Sequence, residues 1–434
     1  MSEHKAIQIE AVDANLEREA LIRPFGFKGG YMSEIWQAVA RMDSADHSGV
    51  GLDTQGVLWS DAAVFAGHSE AAGNALMFAM TEHALQLVKG ESFSHPIDLL
   101  EKVLPETYEY GKKITNNPDL RLTFALNSLV AFDNAVWLLY ARENGITSFD
   151  DLVPDPYKPA LSCRQEKLAS IPLMAYAIPI DEIVQSVEDG YFFLKVTIGA
   201  DPDKDGDREK MLHWDMQRIE AIHKAIGAVR IPHTKDGKIP CYFDANGRYD
   251  SKDRLARLLD HARKIGAFDQ IAIVEEPFPE EFTQDVSDLG VRIAADESAH
   301  SDSHAAERIQ MGYGAIALKP IAKTLSMTLK VAKVAHEANV PCFCADLTVT
   351  PMLVEWNKNV AARLAPLPGM TLGVLETNGH QNYKRWEEMM SWHPYASARW
   401  ARTEKGLFHL DDEFYRVSGG IFETIEHYQE LVSH

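Results

Sequence analysis

Between Asp244 and Lys319 the chain repeats one short pattern four times, and that repeat constrains its fold more than any other feature. The segments read Cys241-Tyr-Phe-Asp244-Ala-Asn246, Ile273-Val-Glu275-Glu276-Pro277, Ile293-Ala-Ala-Asp296-Glu297-Ser298 and Ile316-Ala-Leu-Lys319-Pro320. Each opens on apolar or β-branched residues, stops at a group that can hold a divalent cation or take a proton, and runs through a polar turn into helix-like sequence. This is how consecutive strand-helix units read. Asp244, Glu275, Asp296 and Lys319 follow one another at steps of 31, 21 and 23 residues. Each step suits one strand plus one helix, so the four groups should stand side by side on one rim.

The same alternation extends in both directions. Strands are expected at 172–178, 191–198, 341–346 and 370–376, with helix-like stretches at 208–226, 252–265, 304–311, 326–338 and 351–364. Eight strands with intervening helices point to a TIM-type barrel. Upstream, the pattern is different. A first strand at 7–12, a glycine- and aromatic-bearing loop at 23–31 and a hairpin region at 49–58 precede helical patterns at 71–88, 97–110 and 122–141. In the last of these, Leu126, Leu129, Val130, Phe132 and Val136 form a core-facing stripe. Pro154, Pro156 and Pro159 mark a linker. The expected fold is α/β, a modified TIM barrel of (β/α)7β form over 157–404 with an N-terminal α+β capping domain over 1–156. The segment 405–434 is expected to return to the cap.

The chain has 434 residues, and 64 acidic against 43 basic side chains give a net charge of −21. Such a surface repels phosphate backbones and anionic lipid, which argues against nucleic-acid and membrane partners. A small anionic substrate would need local positive charge or a metal. Cys163, Cys241, Cys342 and Cys344 are too few and too scattered for a disulfide framework. Residues 1–10 have no apolar signal core, and the apolar run 126–140 is interrupted by Asn127, Asp133 and Asn134. A cytoplasmic enzyme, assembled from identical chains, is the expectation.

On a barrel, the C-terminal strand ends and the loops after them form the active face. Three carboxylates from successive strand ends, without nearby Cys or His, favour a hard cation, with Mg²⁺ first. The ordered set Asp244-Ala-Asn246, Val-Glu275-Glu276-Pro277, Ala-Asp296-Glu297-Ser298 and Leu-Lys319-Pro320 resembles the enolase superfamily, closest to its muconate-lactonizing and mandelate-racemase-like branches. The stretch from Ser128 to Trp137 resembles that family's last capping helix, so the likeness spans nearly the whole chain. The resemblance implies that Asp244, Glu275 and Asp296 hold Mg²⁺, which binds a substrate carboxylate. It also implies that a base removes the α-proton to give a metal-stabilised enolate. Lys319 lies where the family often keeps a lysine base. To act as one it must be neutral, so neighbouring cations must lower its pKa from about 10.4.

The second strand departs from the family pattern, with Lys195-Val-Thr197 in place of Lys-x-Lys. Alternation puts Lys195 and Thr197 on one face, Lys195 one register deeper. Lys195 is then either an inward group that tunes Lys319 or binds the substrate carboxylate, or a lysine snorkelling at a strand edge. The seventh strand offers Asp346 in place of a His, and the eighth ends at Glu376, which could serve as an acid. For Asp346 and Glu376 a structural role is the plainer reading. Thr197, Asn246, Asp346, Glu376 and Tyr31 are the expected substrate contacts, Tyr31 through a loop that closes over the site. Glu276 and Glu297 should face away and pair with neighbours, and 201–206 should be a solvated turn. His300 and His304 should mark the start of a surface helix. One base and one acid favour β-elimination, such as dehydration of a sugar acid. A racemase or epimerase using Lys195 and Lys319 is the alternative, ahead of a cycloisomerase and of a member that binds without catalysis.

Overall fold

The structure, a computed structural model, describes residues 6–28 and 30–433. Met1–Lys5, Gly29, His434 and the side chain of Phe27 lie outside the described residues. Short strands β1 (Ile7–Gln8) and β5 (Ser92–Phe93) pair with each other. An antiparallel sheet is formed by β2 (Ala11–Phe27), β3 (Gly30–Asp43) and β4 (Ser48–Thr54). The barrel strands are β6 (Lys167–Ile171), β7 (Leu173–Met174), β8 (Leu194–Thr197), β9 (Cys241–Asp244), β10 (Ile271–Glu275), β11 (Ile293–Ala295), β12 (Ala315–Leu318), β13 (Cys342–Cys344) and β14 (Gly373–Glu376). A final strand, β15 (Leu407–His409), pairs antiparallel with β6.

The first barrel strand lies earlier than its expected position at 172–178. Pro172 has no N–H to give to a ladder, so the strand breaks there into β6 and β7. On one side of the break β6 pairs with β14; on the other β7 pairs with β8. Lys195 N bonds the Pro172 carbonyl at 3.1 Å across the switch, and the eight-stranded parallel ring closes through it.

Five of the intervening helices fall where expected: Arg208–Ile226, Lys252–Ile265, Asp302–Gln310, Leu325–Glu337 and Pro351–Ala361, with Ile180–Glu188 after the first strand. The helix expected after Glu275 is absent among the described residues. The 21-residue step there carries Pro277 and Pro279, which hold the chain extended, and only the 3₁₀ turn Ser287–Leu289 remains. Phe278 and Phe282 stack at 4.1 Å in its place.

In the cap, the described part of 23–31 is not a free loop. It is the far end of the β2–β3 hairpin, with Phe25 opposite Met32 and Gly26 opposite Tyr31 after an irregularity between Ala20 and Phe25. The long helical pattern is two helices, Leu122–Ser128 and Val130–Glu143, bent by 46°. The second is buried all round from Val130 to Ala141, beyond the single stripe expected. On one side it meets β4 so closely that a Cβ on Gly51 would lie 2.0 Å from the Ala131 carbonyl oxygen. On the other it meets the barrel, where Asp133 accepts from Ser326 N at 3.0 Å and Trp137 Nε1 donates to Ser326 Oγ at 2.9 Å. No single helix among the described residues is long and apolar enough to cross a membrane. The segment after β15 reaches the cap, where Asn15 Nδ2 donates to the Leu431 carbonyl at 2.7 Å.

Candidate active site

Alternation along the barrel strands selects what enters the ring. Tyr242, Ile273, Ala294, Ala315, Ala317, Phe343 and Val374 form one interior cluster, while Cys241, Phe243, Val274, Ile293, Ile316, Cys342, Cys344 and Leu375 pack outward against the helices. One step of two beyond the interior residues come Asp244, Glu275, Asp296, Lys319 and Glu376, so these point inward at the C-terminal rim. On the second strand Phe193 is interior and Leu194 and Val196 are exterior, which turns Lys195 and Thr197 inward. Thr197 is in register with Asp244 and Lys195 with Tyr242, one level below. Lys195 is therefore not an edge lysine.

The turns that follow are tight. Asn246, Glu276 and Thr348 each adopt positive φ (47°, 39° and 58°) one or two residues after a rim acid. L-residues avoid that region and adopt it at a cost of about 1 kcal/mol or more. Local bonds hold two of these turns. Asn246 N donates to Asp244 Oδ1 at 3.0 Å, and Thr348 Oγ1 donates to Asn378 Oδ1 at 2.6 Å.

Every rim acid is buried, and three lysines reach into the group. Lys195 Nζ lies 2.8 Å from Glu275 Oε2, 3.0 Å from Asp244 Oδ2 and 3.1 Å from Glu376 Oε2. Lys319 Nζ lies 2.5 Å from Asp296 Oδ2, and Lys323 Nζ lies 3.1 Å from Asp296 Oδ1. Burial alone would drive both Lys195 and Lys319 toward neutrality, but the carboxylates outweigh it and hold both pKa values above the usual lysine value. For Lys319 this is opposite to the lowering expected from the sequence, because its nearest partner is Asp296. Burial, with repulsion from Asp244 and Asp296, raises Glu275. Asp296 is depressed despite its burial, by Lys319 and Lys323.

The donor set suits Mg²⁺: three buried carboxylates, all hard oxygen. Glu275 Oε1 is buried and accepts no hydrogen bond, the condition of a ligand atom held in reserve. As the side chains stand, no three His, Cys, Asp or Glu groups among the described residues converge closely enough to cage an ion, since the lysines draw the acids into ion pairs.

Glu376 and Asp346 close the opposite side. Glu376 Oε2 accepts from Tyr242 Oη and Asp346 N, each at 3.0 Å, and Asp346 Oδ2 accepts from Asn378 N at 2.7 Å. Burial and the neighbouring Glu376 push Asp346 up to about 7. Thr197, Asn246, Asp346 and Glu376 line one cavity together with Asp244, Asp296, Lys195 and Lys319. Tyr31 does not. It is 54% exposed and lines an outer cavity that shares Phe25, Gly26 and Leu173 with the inner one. The hairpin carries Phe25 inward at that point and leaves Tyr31 at the mouth.

Glu276 turns away as expected, accepting from Asp296 N at 2.7 Å, and Glu297 pairs with Lys28 at 2.7 Å. Residues 201–206 form the solvated turn. His300, by contrast, is buried against Glu280 and precedes the helix Asp302–Gln310, which Ser301 caps. Trp59, which no motif marks, also enters the site: its Nε1 donates to Asp296 Oδ2 at 3.2 Å and its ring lies 4.5 Å from Lys319 Nζ. So does Lys323, for which the only signal in the sequence is its i, i+4 spacing from Lys319. Nothing near Trp59 in sequence signals its destination.

A family model described as enolase C-terminal domain-like matches residues 180–406. Among curated proteins none matches the chain in sequence. Among solved structures, the N-succinyl Arg/Lys racemase from Bacillus cereus ATCC 14579 is 14% identical, with a TM-score of 0.67 and 99% of each chain covered. The dipeptide epimerase from Enterococcus faecalis V583, complexed with Mg and L-Leu-L-Tyr, is 16% identical, with a TM-score of 0.61, covering 87% of this chain and 92% of its own. A mandelate racemase/muconate lactonizing protein from Herpetosiphon aurantiacus is 15% identical at a TM-score of 0.62, covering 94% and 96%. At these identities the likeness to solved structures shows the fold.

Proposed function

This chain belongs to the enolase superfamily, in its mandelate racemase/muconate lactonizing branch, and on that premise we propose that Lys319 removes the proton α to a substrate carboxylate. One observation carries the reading. Three carboxylates, two from neighbouring strand ends and one just past β11, stand buried on one rim with the Lys319 ammonium 2.5 Å from the last of them. Asp244, Glu275 and Asp296 would hold Mg²⁺, which when bound supplies the positive charge that a carbanion beside a carboxylate requires. Were Asp296 to engage a cation, Lys319 would lose the partner that keeps it protonated, and its amine would be available as a base.

The overall reaction we propose is β-elimination from a hydroxy acid such as a sugar acid. Lys319 takes the α-proton, and the electron pair left on the α-carbon forms the double bond as the β-hydroxyl departs. Asp346, whose carboxyl keeps its proton up to about 7 and which lines the same cavity, delivers that proton to the leaving oxygen. Thr197, at the level of Asp244, carries no base for the other face of the substrate. The second reading is 1,1-proton transfer, with the Lys195 ammonium returning the proton on the opposite face. It is favoured by the inward reach of Lys195, and the names of the racemase and epimerase above point the same way.

The test is incubation with Mg²⁺ and a panel of carboxylates in deuterated water. A 2-keto acid product supports elimination, and α-deuteration with inversion supports epimerisation. Tight binding of a carboxylate with neither outcome would mean that the protein binds without catalysing.

A further inference from the structure

Lys195 contacts two of the acids proposed to hold the cation, and it also contacts a third acid that is not among them. Its ammonium is nearly equidistant from Glu275 (2.8 Å), Asp244 (3.0 Å) and Glu376 (3.1 Å). An ammonium that close to two ligand carboxylates competes for the oxygens a divalent cation would use, and two cations in one buried site repel each other. Lys195 is only 4% exposed, so water does little to solvate its charge. A buried ammonium stripped of its partners is costly, so it needs an anion that the incoming metal does not claim.

Glu376 meets that need. Tyr242 Oη and Asp346 N fix its Oε2, and Asn378 Nδ2 reaches Oε1 at 3.3 Å. The carboxylate is thus anchored by neutral donors, independently of Lys195. Tyr242 completes the pathway, since the Lys195 ammonium lies 4.9 Å from the centre of its ring. From there it can swing between the ligand side and Glu376 and remain over the aromatic face.

We infer that Lys195 is a built-in rival of the divalent cation, and that Glu376 is the positioning residue that retains its ammonium once Asp244 and Glu275 turn to the metal. The inference rests on the metal reading above. In the full chain, Mg²⁺ binding measured by calorimetry in wild type, Lys195→Gln, Glu376→Gln and the double variant forms a closed cycle. Removing the rival should tighten Mg²⁺ by at least about tenfold, as expected for a lost unit charge within a few ångströms in a partly screened site. Removing the anchor should weaken Mg²⁺ by about tenfold. In the Lys195→Gln background the Glu376 substitution should have almost no effect, because the ammonium it retains is gone.

Equal or weaker binding in Lys195→Gln overturns the inference. So does a Glu376 effect of the same size in both backgrounds, which would mean that its charge acts on the metal directly. Lys195→Met, an apolar side chain of similar length, replaces Lys195→Gln if the amide variant does not fold. No Mg²⁺ uptake by the wild type would overturn the metal reading itself, whereas uptake without tightening in Lys195→Gln overturns only this inference.

Discussion

The indole of Trp59, on the cap, donates to Asp296 Oδ2 at 3.2 Å, and the same oxygen receives the ammonium of Lys319 at 2.5 Å. One oxygen thus joins the cap, the proposed metal site and the proposed base. Trp59→Phe keeps the ring over Lys319 and removes only the donor. A hydrogen bond to a charged group is worth about 1.5–3 kcal/mol, so if that bond orients Asp296 for the chemistry, α-proton exchange should slow by roughly tenfold or more. An exchange rate equal to wild type would show that the bond only trims the cap against the barrel.

Lys319→Met should abolish α-exchange, by about 10² to 10⁴-fold if the amine is the general base, while leaving Mg²⁺ binding measurable. Asp296 keeps Lys323 as a partner at 3.1 Å, so the variant does not leave that carboxylate unpaired. Exchange at the wild-type rate in deuterated water would remove Lys319 from the mechanism.

Asp346→Asn separates the two overall reactions. If Asp346 protonates the leaving group, keto-acid formation should fall about 10²-fold or more, while exchange at the α-carbon, read by mass spectrometry, continues. Parallel loss of both would mean that Asp346 serves the architecture of the rim through Asn378 N and Val349 N, and not the chemistry.

Gly51→Ala should destabilise the cap without touching the rim. The new methyl would lie 2.0 Å from the Ala131 carbonyl oxygen, a backbone atom that cannot yield by rotating a side chain. Overpacking of this kind costs about 1–3 kcal/mol or more, which chemical denaturation would register as a lower midpoint. An unchanged midpoint would show that β4 and the helix Val130–Glu143 separate freely.

Asp133 gives a pH signature. Burial raises its pKa to about 7, above the usual value near 3.9 in an unfolded chain. The folded state therefore keeps a proton that the unfolded state releases. This contribution to stability is fully present below the unfolded value, declines as pH climbs from about 4 to about 7, and is flat above that. Asp133→Asn should flatten the stability profile over that window relative to wild type, by an amount on the order of a few kcal/mol. Parallel profiles for the two proteins would contradict it.

Much of this protein was legible because the signals are local. Strand ends that pass from apolar residues to Asp244, Glu275, Asp296 and Lys319 announce themselves within six residues, and alternation alone puts Lys195 on the face of Thr197. The misreadings have equally definite causes. Pro172 split a strand and let its halves take different neighbours, and Pro277 and Pro279 left no room for a helix. The stretch 23–31 looks like a loop in sequence because its described residues pair within their own hairpin and with no other strand.

The amino-acid sequence by itself determined which groups stand on the rim, in what order and facing which way, since those follow from strand periodicity along a short run of chain. Only the tertiary structure decided which charge meets which. Lys319 keeps its proton because barrel closure sets it against Asp296, Lys195 is shared among three acids because the second and eighth strands share an interior, and Trp59 reaches a carboxylate 237 residues away. Electrostatic partnership falls off with distance in space and is indifferent to distance along the chain, so it emerges only when the ring has closed and the cap has docked.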